Sequence, residues 1–148
     1  MDKITKEQRS QTMSRVHSKD TKPELIVRKK LWKLGLRYKV CDPRIPGKPD
    51  IFFPKYHCAV FVHGCFWHRH SDCKHATTPQ NNYEYWQKKF MSNINRDLKV
   101  RNELNNNGIR VIVVWECSVN KLVKGNDSLF VKQLYTEIIQ GNSNYKEY

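Results

Sequence analysis

Cys65, His70 and Cys73 place three soft or borderline metal ligands within nine residues, and Cys117 offers a fourth farther along the chain. Four protein ligands of the Cys3His type close a tetrahedral shell and leave no vacancy for water or substrate. The chemistry expected is therefore structural zinc rather than catalytic zinc. His75 can replace His70 as far as spacing goes, and the dull alternative is a set of buried thiols beside unrelated histidines. Cys41 and Cys58 are left over and read as core thiols.

Asp50 follows Pro46-Gly47-Lys48-Pro49 at the start of an apolar, β-prone run. An aspartate there can do no more than close a turn through its own side chain. Beside two histidines and under a basic surface, it can instead hold a hard cation such as magnesium against phosphate. His63 and His68 flank Cys65 and belong to the residue type that titrates near neutral pH. Either suits activation of an attacking water or protonation of a leaving oxygen, with hydrogen bonding inside a loop as the alternative. Asp97 lies seven residues past Phe90 and eleven past Trp86, on their face of a helix. A carboxylate on that face needs a partner, and His68, a neighbouring arginine and Arg101 one turn later are the candidates. Glu24 has the spacing of a capping-box acid, and satisfying a backbone amide is the competing reading for it.

Phe66-Trp67 stands between Cys65 and His68, where two large aromatics are dispensable for metal binding. They read as a wedge that unstacks base pairs, an insertion that costs less where a pair is already mismatched. Core packing is the competing reading for both, and the favoured one for Trp86.

These residues need elements that bring them to one place. Thr21-Lys22-Pro23-Glu24 has the capping-box form and opens a helix carrying Leu25, Arg28, Leu31 and Trp32 to a stop at Gly35. Residues 37–40 read as a short strand, and the three prolines of 42–49 exclude regular structure there. Residues 50–53 and 58–62 form a hairpin around Pro54-Lys55-Tyr56-His57. From Asn82 to Asn106, Tyr83, Trp86, Phe90, Ile94 and Leu98 mark one apolar face of a long helix. Ile109 to Trp115 is a strand buried on both faces, and a last helix spans about 128–139.

Strand, long helix and strand make a βαβ unit, so 58–62 and 109–115 run parallel as neighbours. The hairpin sets Asp50 beside Phe61, Val62 and His63. One sheet edge then collects Asp50, His63, Cys65, His68, His70, Cys73 and Cys117.

The 148 residues fit one domain, 1–148, with a polar, basic segment over 1–18 and a loosely ordered tail over 140–148. Lys and Arg number 27 against 14 acids, a net charge of +13 that favours a polyanionic partner, nucleic acid foremost. No apolar run reaches the length of a membrane span and the first fifteen residues lack a signal-peptide centre. A soluble, intracellular protein, cytoplasmic and without membrane association, is expected. An odd count of five cysteines beside histidines favours metal ligation over disulfides.

Five stretches in order resemble the very-short-patch repair (Vsr) DNA mismatch endonucleases. They are Asp20-Thr21-Lys22-Pro23-Glu24, Pro46-Gly47-Lys48-Pro49-Asp50, Val62-His63-Gly64-Cys65-Phe66-Trp67-His68, Asn93-Ile94-Asn95-Arg96-Asp97 and Val114-Trp115-Glu116-Cys117. The likeness runs from about Arg9 to Cys117. It implies a restriction-endonuclease-like α/β fold, a mixed central sheet flanked by helices. It implies a magnesium-dependent nick in the thymine strand 5′ to the mismatched base of a T:G pair, which starts very-short-patch repair. Asp50 and the Val62 carbonyl would bind magnesium, and His68 paired with Asp97 would activate water, supported by His63 and Glu24. Cys65, His70, Cys73 and Cys117 would bind zinc. Phe66, Trp67 and Trp86 match the intercalating aromatics, and Met13 and Arg15 lie in the basic arm that touches DNA. The implied partners are T:G-mismatched duplex DNA and downstream repair proteins, with the enzyme itself a monomer. The acid-x-Lys pair common in the wider nuclease superfamily is absent after Phe61-Val62, which marks a histidine-based variant.

Overall fold

A computed structural model describes residues 20–125 and 128–148. Its elements in chain order are α1 (Lys22–Lys33), β1 (Ile51–Phe53), a 3-10 turn (Pro54–Tyr56), β2 (Cys58–His63), α2 (Tyr83–Asn106), β3 (Arg110–Trp115), α3 (Glu116–Gly125), α4 (Ser128–Gln140) and β4 (Tyr145–Glu147). The basic segment over 1–18, Met13 and Arg15 included, lies outside the described residues.

The four strands form one mixed sheet in the order β1-β2-β3-β4. β1 and β2 are the antiparallel hairpin, with Ile51 opposite Val60. β2 and β3 are parallel from Cys58 opposite Arg110 to His63 opposite Trp115, the βαβ relation that the long helix required. Alternation along the strands sends their side chains to two cores. On one face Ile51, Phe53, Val60, Val62, Ile112 and Val114 meet Val27 and Leu31 of α1, Val119 of α3 and Leu134 and Ile138 of α4. On the other, Phe52, Ala59, Val111 and Val113 meet Leu104 of α2.

Several expectations change. The tail over 140–148 is not loose: Tyr145–Glu147 pairs in parallel with β3, and Tyr148 N–H donates to the Val113 carbonyl. Its backbone satisfies an edge that β3 would otherwise leave open. Residues 37–40 give a single bridge, Lys39 with Phe52, because Cys41 turns the chain at φ 49° and donates its N–H to Pro49. Thr21 makes no side-chain cap. Glu24 instead accepts the Asp20 N–H at 2.8 Å and pairs with Arg28 at 3.1 Å. Helix α3 follows β3 directly, in a stretch where the sequence sets no element apart, although Val119 and Leu122 sit at helical spacing.

α2 also departs from a simple core helix. Trp86, Phe90 and Leu104 are buried, but Ile94 is 39% exposed and Leu98 44%. The helix rests on the sheet through Val100 and Leu104 and on the loop after β2 through Trp86 and Phe90. Between those supports it spans a cleft of about 1670 Å³ whose walls include Asp50, His63, His68, Ile94, Asp97 and Leu98.

Candidate active site and metal centre

β2 and β3 end side by side, so the loop after His63 and the first turn of α3 meet at one edge. Cys65, His70, Cys73 and Cys117 converge there, with ligand atoms all within 4.8 Å of one another. His70 Nδ1 is 3.6 Å from Cys65 Sγ and 3.4 Å from Cys117 Sγ. A tetrahedral shell with ordinary zinc–sulfur and zinc–nitrogen bonds separates S and N by about 3.6 Å, so these residues fit the ion. His70, not His75, belongs to the cluster. Burial pushes the Cys65 thiol up to about 12, while the His75 amide leads the groups that pull Cys73 down.

Asp50 stands at the mouth of the hairpin. Its Oδ2 accepts the Val62 N–H at 2.7 Å and its carbonyl accepts Arg28 Nη2 at 3.4 Å. Burial pushes the Asp50 carboxyl up to about 7, and the neighbouring Glu24 carboxylate adds to the rise against the Val62 amide and Arg28. Glu24 is itself buried, 3% exposed. Arg28 already pairs with Glu24 and reaches only the carbonyl of Asp50, so the Asp50 carboxylate on the cleft wall offers oxygen donors of the kind that a hard divalent ion takes.

The third cluster is His63, His68 and Asp97. His68 Nδ1 lies 2.6 Å from Asp97 Oδ2. An ionised carboxylate only accepts, so Nδ1 carries the proton and Nε2 is left to take or give one. His63 stacks on His68 with ring centroids 3.8 Å apart and planes 5° from parallel. The in-plane lone pairs of parallel rings do not converge on one ion, so this cluster suits proton handling more than metal binding. Burial lowers His63 to about 3, with His68 as the next cause. Trp115 joins the two centres: its ring stacks on His70 at 4.2 Å and meets the edge of His63 at 5.5 Å. Arg101, the alternative partner of Asp97, lies over the Tyr145 ring at 4.1 Å.

The aromatics form a group of their own. Phe66 meets Trp67, Trp86 and Phe90 at centroid distances of 5.0, 5.6 and 5.3 Å. Phe66 and Trp67 are half-buried. Trp86 is only 5% exposed, so it forms the floor under the other two and not the outer surface. The physical reason is its place on the inner face of α2 next to Phe90.

Three contacting residues carry no assigned role from sequence. Arg28 is a helical turn beyond Glu24, a spacing that pairs charges and could have flagged it. Asn93 donates Nδ2 to the Trp67 carbonyl at 3.0 Å. Arg69, inside the metal loop, donates to four acceptors and had no sequence signal.

Among the described residues no helix is long and apolar enough to cross a membrane. Comparison with known proteins gives the family. The family model described as DNA mismatch endonuclease Vsr matches residues 1–75. The type II nicking enzyme V.NmeAIP of Neisseria meningitidis is 47% identical over 123 residues, covering 82% of this chain and 87% of that protein. The type II nicking enzyme V.XorIIP of Xanthomonas oryzae is 40% identical over 121 residues, 82% and 88% of the two chains. The DNA mismatch endonuclease Vsr of Escherichia coli is 35% identical over 126 residues, 85% and 80%. With identities of this size over most of each protein, the chain belongs to the Vsr family of DNA mismatch endonucleases and is a nuclease.

Proposed function

We propose that the protein nicks the thymine strand of a T:G mismatch by magnesium-dependent hydrolysis and so starts short-patch repair in the bacterial cytoplasm. The observation that carries this reading is the Asp50 carboxylate, tied to Val62 N–H at 2.7 Å, on the cleft that also holds the His68–Asp97 pair at 2.6 Å. Asp50 and the Val62 carbonyl would hold the ion, with Glu24 beside them. Magnesium supplies charge neutralisation of the phosphate and of the leaving oxygen.

The rest is the work of the chain. His68 Nε2 takes the proton of the attacking water while Asp97 holds the ring in the Nδ1–H tautomer and steadies the imidazolium that forms. Water oxygen bonds to phosphorus, and the bond to the upstream O3′ breaks; O3′ takes a proton from solvent water as it leaves, which gives a 3′ hydroxyl and a 5′ phosphate. His63, lowered to about 3, stays neutral at working pH and serves as the stacking support of His68 rather than as an acid. The Cys3His cluster holds structural zinc and keeps the loop that presents His68. Phe66 and Trp67 enter the stack at the mismatch with Trp86 behind them. Met13 and Arg15 extend the contact with DNA from the basic N-terminal segment.

The mixed sheet flanked by helices supports a restriction-endonuclease-like fold, and the chain is read as one endonuclease domain acting as a monomer. Strand-resolved mapping of cuts on matched and T:G duplexes, with and without Mg2+, tests the proposal. Equal rates on T:A and T:G duplexes support a nicking enzyme without mismatch selectivity. No magnesium-dependent cut by zinc-loaded protein rejects the catalytic reading.

A further inference from the structure

Arg69 lies between two residues with proposed roles, His68 and His70. Its Nη1 donates to the carbonyls of Phe66 at 3.3 Å and Thr77 at 2.8 Å. Its Nη2 donates to the Ala76 carbonyl at 3.0 Å and to Thr78 Oγ1 at 2.9 Å. The guanidinium carbon stands 3.9 Å from the centre of the Phe90 ring and 5.8 Å from that of Phe66. The backbone at Arg69 sits at φ 55°, a left-handed conformation that side chains other than glycine seldom adopt unless their surroundings impose it.

A guanidinium is a rigid planar fork, and both of its terminal nitrogens are engaged by protein acceptors here. Those acceptors come from two places: the residue that begins the aromatic pair, and the segment that follows the last cysteine of the metal loop. The same group stands over the Phe90 ring supplied by α2. Four contacts of this kind fix where Phe66 stands relative to the loop and to the helix. They also leave the head group poorly placed to act as a phosphate hook.

We propose that Arg69 is a positioning residue for mismatch recognition: its fork clasps residues 76–78 to the Phe66 carbonyl and sets the attitude of the Phe66–Trp67 pair. The inference rests on the reading that this pair enters DNA. Loss of the clasp should therefore damage discrimination between mismatched and matched pairs, while electrostatic attraction to DNA stays as it was.

Arg69→Lys tests it, because lysine keeps the charge and loses the fork. The purified variant should retain its zinc content and far-ultraviolet circular dichroism. Its near-ultraviolet dichroism, which reports the packing of the aromatic group, should weaken. The ratio of nicking rates on T:G and T:A duplexes should fall about ten- to a hundredfold, the scale expected for a recognition group displaced by about an ångström. The salt dependence of duplex binding should keep its slope. An unchanged rate ratio overturns the proposal. An equal loss on both duplexes is such a result, and a shallower salt slope in Arg69→Gln, which drops the charge, then identifies a phosphate contact.

If Arg69→Lys loses zinc, Thr78→Val replaces it. That change removes one acceptor outside the metal loop and should lower the ratio about two- to fivefold, the scale of one hydrogen bond. No change in the ratio overturns the clasp. If the unaltered enzyme shows no preference for T:G, the proposed function fails instead, and the near-ultraviolet signal of Arg69→Lys alone decides whether Arg69 positions the aromatics.

Discussion

His68 Nδ1 and Asp97 Oδ2 lie 2.6 Å apart across 29 residues of chain, one on the metal loop and the other on α2. The bond dictates the tautomer of the imidazole that faces the cleft. Asp97→Asn presents an amide that can offer either a donor or an acceptor, so the ring is no longer held in one form. The single-turnover nicking rate should fall about 10²- to 10⁴-fold with duplex affinity nearly unchanged. A rate within twofold of the unaltered enzyme removes Asp97 from the mechanism.

Asp50 is held neutral up to about pH 7, so a proton competes with a cation for its oxygens below that pH. Magnesium affinity should rise about tenfold per pH unit on the acid side and level off above it. Calorimetry in buffers of different ionisation enthalpy reads the proton released on binding at acid pH. Equal heats in all buffers at pH 6 contradict the shift.

The same shift has a consequence for stability. A carboxyl whose folded pKa lies above its unfolded value favours the fold fully below the unfolded value, about 4. That contribution is lost as pH rises through about 7. In magnesium-free buffer with zinc retained, Asp50→Asn should therefore be more stable than the unaltered protein at pH 8, by up to about 4 kcal/mol. The difference should vanish near pH 4, and urea melts at the two pH values measure it.

Gly47 has φ +76°, and a Cβ there would clash with Cγ1 of Val100 on α2. Gly47→Ala should cost about 1–3 kcal/mol through strain and overpacking. Val100→Ala in the same chain should recover the packing part and leave the backbone part. Additive losses in a double-mutant cycle show that the two residues do not meet.

Stripping zinc should open the loop that carries His68 and abolish nicking in a way that added Mg2+ does not restore. Cys117→Ser should do the same with most of the sheet intact, because Cys117 is on α3 and its strand pairs independently. Circular dichroism with metal analysis separates local opening from global unfolding. Full activity in zinc-free protein rules out a supporting role for the cluster.

Residue types and spacing alone determined which groups could bind metal, which could move protons and which strand ends would carry them. The hairpin and the βαβ unit follow from apolar runs and connection length, and they place Asp50 by Val62 and Cys65 near Cys117 because pairing direction follows from connection length. Only the tertiary structure decided that His70 and not His75 joins the thiolates, that Asp97 meets His68 and not Arg101, and that the middle of α2 faces a cleft. Each of these depends on ring orientation and on the tilt of one element against another, which local periodicity does not encode. The shifts at Asp50 and His63 belong to the same class, since burial sets them and burial is a property of the packed chain. β4 shows the limit most clearly: Tyr145–Glu147 is short and polar enough to read as a tail, and it becomes a strand because β3 offers it an edge.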